Sequence, residues 1–314
     1  LQGFDNPKSD VYVHLWGSIS RNGEGNELSP HANLLQHGAI GLAEADLMLP
    51  TELLKQVLVL GEIGQYPLLL APRDGKIQGN GMVREGVETL RAGWPPDPVA
   101  SETLPLGQVL ELHRQHPESS IRIMNLSTAA GVSMLSTSKA KPMASVCWWH
   151  LIADNSLLAP TDIGFRVSPS IGNSQDRIAL IQGLIEGVLT AIAVHGNPLD
   201  DEETKQPPDQ RLPGLSGHHL VLPSLWQELV IKAGWGIEQL WGALSFGPSK
   251  MLNITEEQLN IGSRRWLLFD PEKKWVQTRD TKISISAANQ PFEGEQIIGK
   301  VINCGLRSGV DQND

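Results

Sequence analysis

The chain has only two cysteines, Cys147 and Cys304. Two are too few for a disulfide framework, and their separation excludes a C-x-x-C metal motif. Both read as buried thiols, which fits a reducing, cytoplasmic compartment. No apolar run reaches the roughly 18 residues of a membrane-spanning helix, so no membrane partner is expected. The start carries no visible signal peptide. Basic residues are sparse, 25 Lys and Arg against 35 Asp and Glu for a net charge of -10. With no basic cluster either, a nucleic-acid surface is excluded. The G-x-S-x-G, Walker, H-E-x-x-H and dinucleotide fingerprints are also absent. What is present is ordinary for a globular protein, 40% hydrophobic and 19% charged residues in 314. That length suffices for one large domain, or one large and one small.

The most informative stretch is Ser168 to Leu199. Asn173 or Ser174 can cap a helix that runs to about Glu186, with Ile178, Ile181, Leu184 and Ile185 at helical spacing. Gly187 stops it. Leu189 to Val194 is almost wholly apolar, as a strand buried on both faces should be. His195-Gly196-Asn197-Pro198 then follows at the strand's carboxyl end, where a (β/α)8 barrel keeps its catalytic residues. Elsewhere the pattern predicts strands near 11–16, 40–42, 67–70, 121–124 and 143–147, and helices over 32–37, 51–61 and 101–116. Two further helices are predicted over 225–232 and 237–245, with a turn at Phe246 to Lys250 and a hairpin turning at Asp270 to Lys274.

Several segments resemble one family. Gln175-Asp176-Arg177-Ile178-Ala179-Leu180-Ile181 resembles an E-D-R-x-A-L-I element. Asn125-Leu126-Ser127-Thr128 resembles H-L-S-T, Met82 to Gly86 resembles M-x-E-G, and Leu268-Phe269-Asp270-Pro271 is an L-F-D-P element. In order and spacing these resemble the dihydroorotases of the amidohydrolase superfamily, and most of all the divergent dihydroorotase-like proteins of cyanobacteria. The resemblance implies a TIM-type (β/α)8 barrel over residues 1–255, incomplete at its N-terminus. It also implies a β-rich tail over 256–306 joining a small β-sandwich, and a disordered end over 307–314.

The same resemblance implies a zinc-dependent pyrimidine-biosynthesis chemistry, the hydrolysis or closure of a cyclic amide, yet the implied ligands are replaced. The family's two later histidine positions fall on Ala71 and Asn125, and its aspartate falls on His195. The H-x-H segment is not matched, because Leu1 to Pro7 resembles the piece that follows it; a fragment and a shortened gene product both fit. Glu44 and Asp46 are candidate remnants of a bridging carboxylate, though solvated or capping acids are the plainer reading. His150 is the remaining candidate ligand, better read as a packing histidine, and Ser168 and Pro198 are candidates for substrate binding. His218-His219 does not read as a metal pair, since adjacent side chains diverge.

The favoured reading is therefore a non-catalytic member without bound zinc. It would act as a scaffold for aspartate transcarbamoylase or pair with itself as a homodimer, which is a role the resemblance implies. The alternatives are an active zinc enzyme using substitute ligands such as His195, Glu44 and His150, or a barrel that binds a small molecule without turnover.

Overall fold

The computed structural model describes residues 13–44, 48–158, 166–207, 210–263, 265–279 and 287–305. The first half alternates strand and helix: β1 (Leu15–Ser18), α1 (His31–Gln36), β2 (Ala39–Ala43), α2 (Thr51–Leu60), β3 (Leu68–Leu70) and α3 (Gly75–Gln78). A short excursion follows, β4 (Val83–Arg84), α4 (Val87–Arg91) and β5 (Pro96–Asp97), before α5 (Ala100–Gln115). Then come β6 (Ile121–Ile123), α6 (Ala129–Thr137), β7 (Met143–Cys147), α7 (Trp149–Ile152), α8 (Ser174–Ile185) and β8 (Ala191–Ala193). β1, β2, β3, β6, β7 and β8 form one parallel sheet in that order. β4 and β5 pair separately. The sheet curls with helices outside, the architecture of a (β/α) barrel.

The central strands are short and largely apolar, as parallel strands covered by helices must be. Leu68, Leu70, Ile121, Ile123, Ala144 and Val146 are all buried. α2 buries Leu53, Leu54, Val57 and Leu58, and ends at Gly61 with φ 64°, the left-handed cap that glycine supplies at least cost. At the start of α8 the Asn173 side chain accepts from the N–H groups of Gln175 and Asp176, and the Asp176 carboxylate accepts from Asn173 N at 3.0 Å. Asp176 also accepts from Ala129 N at 2.8 Å, which fixes α8 to the start of α6. A Cβ at Gly172 would collide with that carboxylate.

The core-facing stripe of α8 differs from the predicted one. Ile178 and Ile185 are exposed, whereas Leu180 and Gly183 are buried. A Cβ on Gly183 would stand 3.1 Å from Val132 and 3.3 Å from Leu189. The helix thus turns its smallest residue inward to approach its neighbours, a preference hydrophobic spacing does not reveal.

Beyond β8 lie α9 (Asp201–Thr204) and α10 (His218–Leu225), the latter continued as a π-helical segment over Trp226–Lys232. α11 (Ile237–Trp241) runs through a second such segment, Gly242–Phe246, into α12 (Gly247–Leu252). The predicted turn at Phe246 to Lys250 is therefore helix. Gly247 permits this, because a Cβ there would overlap the carbonyl oxygen of Thr190. The predicted hairpin is instead one long strand, β9 (Trp266–Val276), antiparallel to β10 (Gln296–Gly305). Asp270 Oδ1 accepts from Glu272 N at 3.0 Å and Lys273 N at 3.1 Å. That local turn is absorbed as an irregularity between the pairs Ile298–Lys274 and Lys300–Asp270. Among the described residues, the expected sandwich portion consists of this two-stranded ribbon. Cys147 is buried as expected, but Cys304, on the ribbon, is exposed. The predicted strand near 11–16 lies partly outside the described residues, as does the end at 307–314.

One buried charge cluster joins the excursion to the sheet. Arg84 pairs with Asp97 at 3.1 Å and Glu102 at 3.4 Å, all within the core. Glu102 also accepts from Ser127 N (2.8 Å) and Oγ (2.6 Å) and from Thr128 N (3.2 Å) and Oγ1 (2.5 Å). Glu102→Leu would remove one of the two carboxylates of Arg84 and leave the Ser127 and Thr128 donors without their acceptor. Removing one partner of a buried ion pair costs about 3–5 kcal/mol, so urea unfolding should show a loss of that order; a loss under about 1 kcal/mol would show the cluster to be dispensable.

A candidate active-site pocket at the strand ends

The carboxyl ends of the parallel strands face one mouth. β6 ends at Ile123, and two residues on Asn125 adopts φ 55°, a left-handed conformation that asparagine tolerates better than most residues. Its backbone N–H donates to Ser145 Oγ of β7 at 3.0 Å. The Ser145 hydroxyl in turn donates to Asn125 Oδ1 at 3.2 Å. Asn125 Nδ2 then lies 2.9 Å from His195 Nε2, just past β8. Trp148 Nε1 donates to the His195 carbonyl at 3.4 Å, and the rings of Trp149 and His195 lie 6.3 Å apart.

Asn125, His195 and Trp149 line a cavity of about 360 Å³, together with Ser168, Asn197 and Pro213. Ser168 accepts from Arg73, whose other guanidinium nitrogen donates to Gln78 at 3.1 Å. Asn197 Nδ2 donates to Pro213 O at 2.7 Å and fixes the loop after His195. The structure thus brings together His195, Asn125 and Ser168 around this cavity, with Trp149 on its wall and Trp148 buried behind it. Arg73, Gln78 and Asn197 were not singled out from sequence. Their roles come from contacts made across the fold, although the position of Arg73 just after β3 was a usable signal.

The other candidates lie elsewhere. Ala71, just past β3, is buried and has no donor atom. Pro198 is outside the cavity lining, beside Leu199, whose N–H donates to Asn289 Oδ1 at 3.0 Å. Glu44 accepts from Ser20 N at 2.8 Å and Ser18 Oγ at 3.2 Å, which ties the end of β2 to the segment after β1 in a structural, capping manner. Asp46 lies outside the described residues. His219 meets Gln277 at 3.1 Å and the ring of Trp275, whereas the His218 ring lies against Gly196. The two rings diverge as adjacent side chains should.

His150 is fully buried, with Nε2 3.4 Å from the Ser170 carbonyl. Burial pushes its pKa down to about 3, with a smaller opposing effect from that carbonyl. The enclosed imidazole is thus kept neutral, with its Nδ1 buried and unpartnered.

Zinc needs three or four convergent imidazole, thiolate or carboxylate donors. Among the described residues no group of three or more His, Cys, Asp or Glu could hold a metal ion. His195 Nε2 faces an amide, His150 faces a backbone carbonyl, and Glu44 is engaged by Ser18 and Ser20. The described residues do not fit the metal that the fold implies.

The curled parallel sheet with its pocket at the strand ends defines an amidohydrolase-type barrel. Solved structures agree on that fold. An L-hydantoinase (dihydropyrimidinase) from Arthrobacter aurescens superposes with a TM-score of 0.76 at 16% identity, covering 96% of this chain and 70% of that one. Dihydroorotase from Saccharomyces cerevisiae superposes with a TM-score of 0.71 at 15% identity, covering 96% and 82%. No family model matches the sequence. A probable dihydroorotase-like protein of Synechocystis is 36% identical over 303 residues, covering 93% of this chain and 67% of that protein. A dihydroorotase of Carboxydothermus hydrogenoformans is 24% identical over 288 residues, covering 90% and 67%. This chain belongs to the dihydroorotase-like family. No helix among the described residues is long and apolar enough to cross a membrane.

The depressed pKa of His150 has a stability consequence. The unfolded imidazole takes up a proton near pH 6.5, but the folded one does so only near 3. The stabilisation is therefore complete above pH 6.5 and is lost as pH falls towards 3, by up to about 1.4 kcal/mol per pH unit. Urea unfolding between pH 7 and pH 5 should show this loss, about 2 kcal/mol in all. His150→Asn should flatten the profile; an unchanged slope would remove His150 as its source.

Proposed function

We propose that this chain is a dihydroorotase-like protein of pyrimidine biosynthesis that does not itself catalyse cyclic-amide hydrolysis, and that it works as a scaffold. One observation carries the reading: His195, at the family's aspartate position, is hydrogen-bonded to Asn125, at a family histidine position. Hydrolysis of a cyclic amide requires a polarised carbonyl, an activated water and a base within reach of it. Here the described groups that would serve hold one another or the backbone. Such groups act as a unit, so losing several leaves no proportionate remainder of activity. The name of the Synechocystis relative, dihydroorotase-like rather than dihydroorotase, is in keeping with this reading.

The scaffold role follows from the family resemblance, with aspartate transcarbamoylase or a second copy of the chain as the partner. Zinc content and dihydroorotate turnover, measured on one purified sample, test the catalytic half. We expect substoichiometric zinc and no turnover. About two zinc ions per chain with turnover, the arrangement of two-metal hydrolases, would overturn it. Light scattering of the chain alone and mixed with purified aspartate transcarbamoylase tests the partner: a dimer or a mixed complex is expected, and a monomer in both solutions would refute the scaffold role.

A further inference from the structure

We infer that the hydrogen-bonded chain Ser145–Asn125–His195 does the structural work of a bound metal, fastening the ends of β6, β7 and β8 so that the pocket is formed without an ion. The inference rests on the non-catalytic reading above and concerns the same pocket. Ser145 lies within β7, Asn125 just past β6 and His195 just past β8, and these three strands are neighbours in the sheet. Asn125 therefore reaches over the end of β7 to a residue 70 positions away. A metal held by side chains from several strand ends would cross-link the same points.

Hydrogen-bond accounting gives the chain a direction. Ser145 Oγ already accepts the Asn125 backbone N–H, so its hydroxyl proton is available to Asn125 Oδ1. The amide must then turn Nδ2, its donor end, towards His195. His195 Nε2 accepts, and the neutral ring carries its proton on Nδ1. An imidazole so placed presents no lone pair to the pocket from Nε2, which is also why these residues make a poor zinc site. Trp148 Nε1 holds the His195 carbonyl from the β7 side, so the backbone after β8 is tied as well as the ring.

The test uses the full chain and three measurements. Asn125→Gly removes the amide side chain while suiting the positive φ at that position; His195→Ala removes the other end. Each should lower the melting midpoint by about 2–4 °C. The double variant should melt no lower than the worse of the two, because both changes break one chain. Shifts that simply add would overturn the inference. Imidazole nitrogen NMR of the wild type should show Nε2 unprotonated; a proton on Nε2 would overturn the direction assigned here. Zinc and a chelator should leave the wild-type midpoint unchanged. A zinc-dependent rise abolished by His195→Ala would overturn the strut, and with turnover it would overturn the non-catalytic reading too. Additive shifts in zinc-free, inactive protein would remove the strut alone.

Discussion

A carboxylate cannot sit in a protein core unless its charge is met, because desolvation costs several kcal/mol per ion. Glu102 meets this constraint with four donors from Ser127 and Thr128 and the guanidinium of Arg84. The backbone after β6 therefore has a single compatible path. Thr128 is placed to cap α6 by accepting from Gly131 N at 2.9 Å, and Asn125, three residues earlier, is held in its left-handed conformation at the pocket wall. Arg84 adds the second anchor, since Asp97 draws β4 and β5 against the same cluster. The pocket is thus built from behind, by a charge network that none of its lining residues joins.

The fold was largely legible because its signals are local. Apolar runs at 68–70, 121–123 and 143–147 are strands whichever partners they find, and the Asn173–Asp176 capping box fixes the start of α8 within four residues. Legibility failed where tertiary contacts decided. Gly183 facing inward shifts the stripe of α8, which keeps Ile181 and Leu184 against the core but leaves Ile178 and Ile185 exposed. Gly247 against Thr190 lets helix continue where a turn was expected. The Asp270 turn is real, but the ladder with β10 continues on both sides of it.

The site was legible in outline only. The resemblance located Ala71, Asn125 and His195 at strand ends, and all three lie there. That Asn125 and His195 pair with one another could not be read from residues so far apart in the chain, nor could the Arg73–Ser168 contact across 95 positions. Glu44 shows the converse. Its position after β2 suits a ligand as well as a capping acid, and only its bonds to Ser18 and Ser20 distinguish the two.

The same energetic asymmetry explains how a pocket of this shape can stand while its ligand positions hold alanine and asparagine. Glu102 and Asp176 each serve several backbone donors, so replacing either leaves buried N–H groups unpaired, at about 1–3 kcal/mol each. A side chain that only points into a water-filled mouth serves no backbone group, and exchanging it costs the fold little. Ala71 costs the fold nothing for another reason: its methyl is buried at the end of β3 and leaves no donor or acceptor to satisfy. Asn125 shows the intermediate case, where a side chain too weak as a zinc donor still satisfies Ser145 and His195. The barrel wall therefore depends on the charge network behind it, while the Asn125–His195 contact ties the strand ends in front of it.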